Sequence, residues 1–237
     1  MANDHLSSPP SSNLDAPPRD GITAMRMMAA KAKTSSLYEP YSELIDALSP
    51  FLNALAGAHV DEHDATRLAA DLDQWTQLLS KQQVPEPERL WGAWPQRPDR
   101  GQALVPKVDD DRVVHDRRQA ADESEGQDEN VFEMEGKVTF GRFWVGMNNA
   151  VHGGAITLLF DEYLGNVSAR SRLPASRTAY LKTDFRSVTP VDTELTIQAE
   201  VTRVEGRKHF LRGRLLDGQR VCAEAEGLWI ALKPGQV

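Results

Sequence analysis

Apolar residues recur along this chain with two different periods. In the first part the period is helical: Leu37, Tyr41, Leu44, Ile45, Leu48, Leu52 and Leu55 fall near helical spacing within 37–56, and Ala65, Leu68, Leu72, Trp75, Leu78 and Leu79 form one stripe within 61–82. Pro50 predicts a kink or a break in the first helix, and Asp61 or Asp64 can cap the second. The pair reads as a helical hairpin whose stripe needs another surface, be it a sheet, a dimer mate or a foreign partner. From residue 131 the period becomes two. V-F-E-M-E-G-K-V-T-F alternates around Phe132, Met134 and Val138. Residues 178–188 are strand-like and end before Pro190. Within 193–204, Leu195, Ile197, Ala199 and Val201 face one way, and Thr196, Gln198, Glu200 and Thr202 the other. Gly206 and the Asp217-Gly218 pair mark turns, with further strands at 209–216 and 221–232.

One stretch interrupts the strands, V-G-M-N-N-A-V-H-G-G-A-I-T-L-L-F-D-E-Y-L-G-N-V-S-A-R from Val145 to Arg170. Gly153 and Gly154 suit a tight turn into a helix with uncovered N–H groups. Ala155 to Phe160 are apolar or small on every side, which predicts a helix buried all round. Asp161 and Glu162 then arrive inside it, and a buried acid needs a partner or a task. The free N–H groups and dipole of the helix N-terminus favour an oxyanion there. Asp161 lies eight residues on, or ~12 Å at ~1.5 Å per residue, too far to act on an atom held at its own helix's N-terminus. It can act on one held by an antiparallel copy, which predicts an isologous dimer with composite sites.

The remaining segments are polar or irregular. Residues 1–21 read as a disordered tail, and Ile22 to Lys33 as a short helix or a tail that orders only on packing. Val84 to Val108 is Pro-rich and irregular, with Trp91 and Trp94 as anchors onto the domain. Residues 109–130 are a charge run, read as an acidic linker or solvated loop with His115 exposed. The domain plan is therefore a tail (1–21), an N-terminal helical extension with an irregular segment (22–108), the linker (109–130) and a C-terminal domain (131–237).

Composition narrows the function classes. The chain has 237 residues and a net charge of -8, a pI near 5.3 and a mean hydropathy of -0.48. Residues 1–130 hold 13 Lys and Arg against 23 Asp and Glu, and residues 131–237 hold 14 against 12. The acidic part argues against nucleic acid, while the mildly basic part suits an anionic ligand. Cys222 is the only cysteine, which fits a reducing compartment. No signal peptide or apolar run long enough for a membrane span is visible, so a cytoplasmic protein is expected. There is no P-loop, dinucleotide fingerprint, spaced metal-binding cluster or Ser nucleophile elbow.

The run His152-Gly153-Gly154 followed by six residues and Asp161, with the strand pattern around it, resembles the hotdog-fold acyl-CoA thioesterases of the phenylacetic-acid-pathway type. The resemblance covers about Val131 to Lys233. It implies an α+β fold, an antiparallel sheet wrapped around a long central helix, here with an N-terminal helical extension. It implies an acyl-CoA substrate, no separate cofactor and no metal, and a homodimer or dimer of dimers. The Gly153 N–H would stabilise the oxyanion, and Asp161 of the other chain would be the base for a water or the direct nucleophile. His152 would orient the thioester or the turn, and Thr178 would hold the water. Several relatives carry Asn where Gly146 stands, and Asn148 or Asn149 could substitute. Gly154 and Glu162 join the substrate-binding candidates. Arg186 and Lys208, and by residue type Arg207, Arg212 and Arg214, are candidates for the coenzyme A phosphates. A non-catalytic acyl-CoA binder with an N-terminal docking module is the alternative. A hotdog hydratase fits least, because no His follows Asp161 before His209.

Overall fold

The structure, a computed structural model, describes residues 36, 38–83, 106–116 and 132–233. The expectations for the tail, for Ile22 to Lys33 and for Trp91 and Trp94 fall outside those residues. In chain order the elements are α1 (Tyr38–Gly57), α2 (Glu62–Ser80), β1 (Val108–Asp116), β2 (Phe132–Thr139), two short 3-10 turns (Arg142–Trp144 and Met147–Asn149), α3 (Gly153–Arg170), β3 (Ser176–Phe185), β4 (Glu194–Glu205), β5 (Lys208–Asp217) and β6 (Arg220–Ala231). The six strands form one antiparallel sheet in the order β1-β2-β4-β5-β6-β3. It wraps around α3, the α+β hotdog arrangement.

Alternation decides which side of the sheet is buried. Met134, Val138, Leu195, Ile197, Val201, Leu211 and Leu215 are buried against Ile156, Leu159, Phe160, Leu164 and Val167 of α3. Gly213 has a packing reason: a Cβ there would lie 3.0 Å from the Phe160 ring, so the bare backbone makes room for that buried aromatic side chain of the helix. Burying a Phe side chain contributes roughly 1.5–3 kcal/mol. Gly206 and Gly218 both have φ of +58°, the left-handed geometry their hairpin turns require.

The outer face of the sheet is polar. Arg112 pairs with Glu135, and Gln198 donates to the same carboxylate. Arg214 and Arg186 both pair with Glu224. These charged rungs cross the sheet from β1 to the end of β3.

Three expectations are corrected. First, part of the acidic run is a strand: β1 pairs antiparallel with β2, and of the run 109–130 the described residues end at 116. Register shifts between Asp109 and Arg112 and between Val113 and His115 break its alternation and hide it from a period-two reading. His115 is exposed, as read. Second, of the kink or break expected at Pro50, the break does not occur: α1 runs through it. Third, α3 is not buried all round. One sheet covers one side, and Thr157, Leu158, Asp161 and Glu162 lie on a face left partly open.

The two N-terminal helices behave differently. Asp61 caps α2 by accepting the Asp64 N–H at 2.8 Å. α2 buries none of its residues, and Trp75 is 61% exposed. α1 meets the domain at the Arg142–Trp144 turn. No helix among the described residues is long and apolar enough to cross a membrane.

Candidate active site

The site is built around the two ends of the first half of α3. At its start, His152 is the N-cap residue in extended geometry, and its Nδ1 accepts the Gly154 N–H at 3.0 Å. The cap is thus made by the side chain of the motif histidine, and it occupies one of the helix's free donors. The Gly153 N–H has no acceptor among the described residues and is the free donor at this terminus. A Cβ at Gly153 would come within 3.0 Å of the Phe185 ring, so the glycine keeps this terminus approachable.

The preceding loop holds the terminus in place. The His152 N–H donates to the Trp144 carbonyl at 2.8 Å, and the Val151 N–H to the Thr189 carbonyl at 2.9 Å. Gly146 packs beneath His152: a Cβ there would lie 3.1 Å from the His152 Cα. A side chain such as Asn would therefore crowd this site, which accounts for the glycine. Asn148 and Asn149 are exposed in left-handed backbone geometry, with φ of 56° and 55°, in the second 3-10 turn. Beside the terminus lies an open apolar cavity of about 350 Å³, lined by Phe143, Trp144, Val145, His152, Gly154, Ala155 and Leu158.

Two turns along α3, Asp161 is half-buried, and Thr178 Oγ1 donates to its Oδ1 at 2.9 Å. Thr178 stands on β3, where the pairing with β6 shifts register between Thr178 and Tyr180. Such a bulge re-aims a side chain, here toward the helix. Glu162 points ~100° away around the helix from Asp161 and does not share this bond.

The structure therefore brings together Asp161 with Thr178, and His152 with Gly154. It does not bring Asp161 to Gly153 within one chain. The phosphate candidates are also separated. Arg186 is ion-paired with Glu224 at 2.8 Å and lies just past the Gly153 end of β3. Lys208 pairs with Ile230, whose other neighbour is Arg177, at the Thr178 end. The strand between those ends spans ~25–30 Å at about 3.3 Å per residue, so one protomer's Arg186 and Lys208 cannot grip the same pyrophosphate. Arg207 donates to the Ala231 carbonyl, and Arg212 and Arg214 pair with Glu200 and Glu224 across the outer face of the sheet.

The residues that sequence reading missed lie at the far end of α3. Asp111 of β1 accepts a hydrogen bond from Tyr163 Oη at 3.2 Å and pairs with Arg170. Burial pushes the Asp111 carboxyl above its ordinary range, and Arg170 and the Tyr163 hydroxyl offset this in part. Burial, followed by the charge of Asp111, raises the Tyr163 phenol. The left-handed Asp110, φ 52°, sits inside the irregular part of β1 that turns Asp111 inward.

Comparison with known proteins agrees with this fold. Residues 148–224 match the family model described as Thioesterase superfamily. Acyl-coenzyme A thioesterase THEM4 of Bos taurus is 32% identical over 96 residues, 40% of this chain and 39% of that protein. PA0474 of Pseudomonas aeruginosa, which carries an esterase name, is 35% identical over 80 residues, 33% of this chain and 60% of that protein. The matches thus span less than two thirds of either curated relative. Protein RHA08564, a thioesterase superfamily protein of known crystal structure, is similar in fold at a TM-score of 0.58 and 25% identity, over 79% of this chain and 89% of that one.

Proposed function

We propose that the protein hydrolyses acyl-coenzyme A thioesters to the free acid and coenzyme A, at composite sites in a homodimer. The observation that carries this reading is the Thr178–Asp161 hydrogen bond, set on the open face of α3 while the free Gly153 N–H stands ~12 Å away along the same helix. A thioester carbonyl docked at one protomer's Gly153 has its oxygen on a backbone donor and on the positive end of α3. Asp161 of the other protomer, oriented by Thr178, takes the proton of an attacking water. The tetrahedral intermediate then collapses, the C–S bond breaks, and the coenzyme A thiolate leaves and is protonated. Direct attack by Asp161, giving an anhydride that water then opens, uses the same groups.

The open edge of the sheet supports the dimer. β3 is a terminal strand, and Leu158, Tyr180, Phe185 and Val188 are exposed on α3 and along β3 and its end. An exposed apolar strand edge is a template for pairing, and isologous pairing of β3 with itself covers it. The charged rungs on the outer face make that face a poor seat for a second dimer. The spacing of His152, Gly153, Gly154 and Asp161 supports the finer placement with phenylacetic-acid-type thioesterases, and the single buried Cys222 suits a reducing, cytoplasmic setting. Coenzyme A enters as part of the substrate, with no further cofactor.

Subunit complementation tests the composite site. Gly153→Pro removes the oxyanion donor; Pro suits the first helical position, His152, at φ -63° and ψ 130°, already has the backbone that a following Pro demands, and the added Cβ, 3.0 Å from the Phe185 ring, requires that exposed side chain to shift slightly. Asp161→Ala removes the base. Each variant alone should be inactive, and mixed dimers should regain one working site of the two. If refolded mixtures regain no activity, the shared site is wrong.

A second reading, an acyl-CoA-binding protein without turnover, is favoured by the exposed stripe Leu72, Trp75, Leu78 and Leu79 on α2 as a docking surface. Tight acyl-CoA binding by calorimetry with no release of free thiol would select it.

A further inference from the structure

The N-terminal helix α1 touches the domain at one functional place. Asn53 Oδ1 accepts the Phe143 N–H at 2.9 Å, across 90 residues of sequence. The 3-10 turn Arg142–Trp144 has no side-chain cap of its own, and Asn53 supplies that acceptor from outside. The fit is close: a Cβ at Gly141 would lie 2.3 Å from Asn53 Oδ1, and a Cβ at Gly57 3.1 Å from Arg142 Cδ. On its other side the turn is held by Arg142 Nε, 3.2 Å from Asp192 Oδ2.

This turn lines the cavity beside the α3 N-terminus, together with Leu158. Phe143 and Trp144 meet edge to face at 5.0 Å. The next link leads to the active helix: the Trp144 carbonyl accepts the His152 N–H, and His152 Nδ1 accepts the Gly154 N–H. A cavity of about 350 Å³ is at the lower end of the range for small-molecule pockets. Its apolar walls match a hydrocarbon or aromatic acyl group, and a two- or four-carbon acyl group would leave most of it unfilled.

We propose that Asn53 is a positioning residue for acyl selection: through the Phe143 N–H it fixes the aromatic wall of the groove, so that α1 sets the preference of the site for longer apolar acyl groups. The inference rests on the thioesterase reading above. Asn53 touches no reacting atom and acts through the turn. Only its acceptor oxygen is needed, so Asp serves at this position and Leu, of similar size, does not.

The test compares butyryl-CoA and octanoyl-CoA hydrolysis by wild type, Asn53→Leu and Asn53→Asp. N53L should raise KM for octanoyl-CoA on the order of fivefold, the size of one net hydrogen bond, with kcat within about twofold and butyryl-CoA little changed. N53D should behave as wild type. Gly141→Ala, which displaces the Asn53 side chain without changing it, should reproduce N53L, and it provides the test if N53L does not fold. A wild-type enzyme with no preference for octanoyl-CoA overturns the inference. So does an N53L that matches wild type, or that loses both substrates equally. A wild type inert toward both thioesters would instead overturn the thioesterase reading, and this inference with it.

Discussion

Thr178 Oγ1 donates a hydrogen bond to Asp161 Oδ1 at 2.9 Å, from the edge strand to the open face of the central helix. The bond fixes the carboxylate while leaving its other oxygen free to take a proton. Thr178→Ala should lower kcat about 10–100-fold with a smaller change in KM, because the loss falls on the proposed base, which would act in the transition state. Thr178→Ser keeps the hydroxyl and should retain most of the activity. Steady-state hydrolysis of acyl-CoA, followed by thiol release, checks both, and equal damage by Ala and Ser would show that the methyl group matters and the hydroxyl does not.

His152 has a separable duty as helix cap. His152→Ala should cost about 1 kcal/mol of stability, while His152→Asn or His152→Asp should restore most of it, since both accept from N–H groups of the first turn. Urea unfolding measures this. If all three variants lose activity although the last two are stable, the histidine also meets the substrate.

The edge of β3 carries the dimer prediction. Phe185 is 56% exposed and Tyr180 49%, and Tyr180→Lys with Phe185→Lys places like charges on both sides of the isologous contact. The double variant should elute as a folded monomer and lose hydrolysis, because each proposed composite site needs both chains. Light scattering with circular dichroism decides it; a dimer of wild-type activity would place the interface elsewhere.

Asp111 gives a prediction with a definite sign. Its carboxyl is raised in the folded protein, so the folded state holds this proton above the pH at which the unfolded chain has released it. Its contribution to stability is therefore fully present below the ordinary Asp range and declines as pH rises through the raised value. Asp111→Asn keeps an acceptor for Tyr163 and Arg170 but cannot ionise. The stability of wild type relative to D111N should fall as pH rises from the ordinary Asp value, about 3.9, through the raised value. A difference that does not change with pH, measured by urea unfolding at both ends, would mean that Arg170 cancels the burial.

Gly213 faces the Phe160 ring. Gly213→Ala should destabilise the protein by about 1–3 kcal/mol, the usual cost of overpacking a well-filled core, and Phe160→Leu in the same chain should recover part of that loss. Thermal unfolding of the two single variants and the double variant checks this; strict additivity would show that the ring can move aside.

By itself, the sequence determined what depends on near neighbours. Alternation in residues 193–204, the Gly206 and Gly218 turns, the apolar run after His152 and the Asp61 cap are all local patterns, and strands, hairpins and helix starts are decided over two to four residues. The pairing of His152 with a glycine turn and of Asp161 with the same helix was legible for that reason. Tertiary structure decided what depends on residues far apart. Asp161 has the Thr178 hydroxyl as its partner because a register shift in β3 aims it there. Residues 108–116 became a strand because the β2 edge offered unpaired backbone groups, although bulges and charge hid the alternation. Asp111 reached Arg170 and Tyr163 through that same irregularity. Asn53 found the Phe143 N–H across 90 residues, a contact without a periodic signature. Composition and period describe how a segment prefers to fold, whereas hydrogen bonds between segments depend on where the sheet and α3 place them.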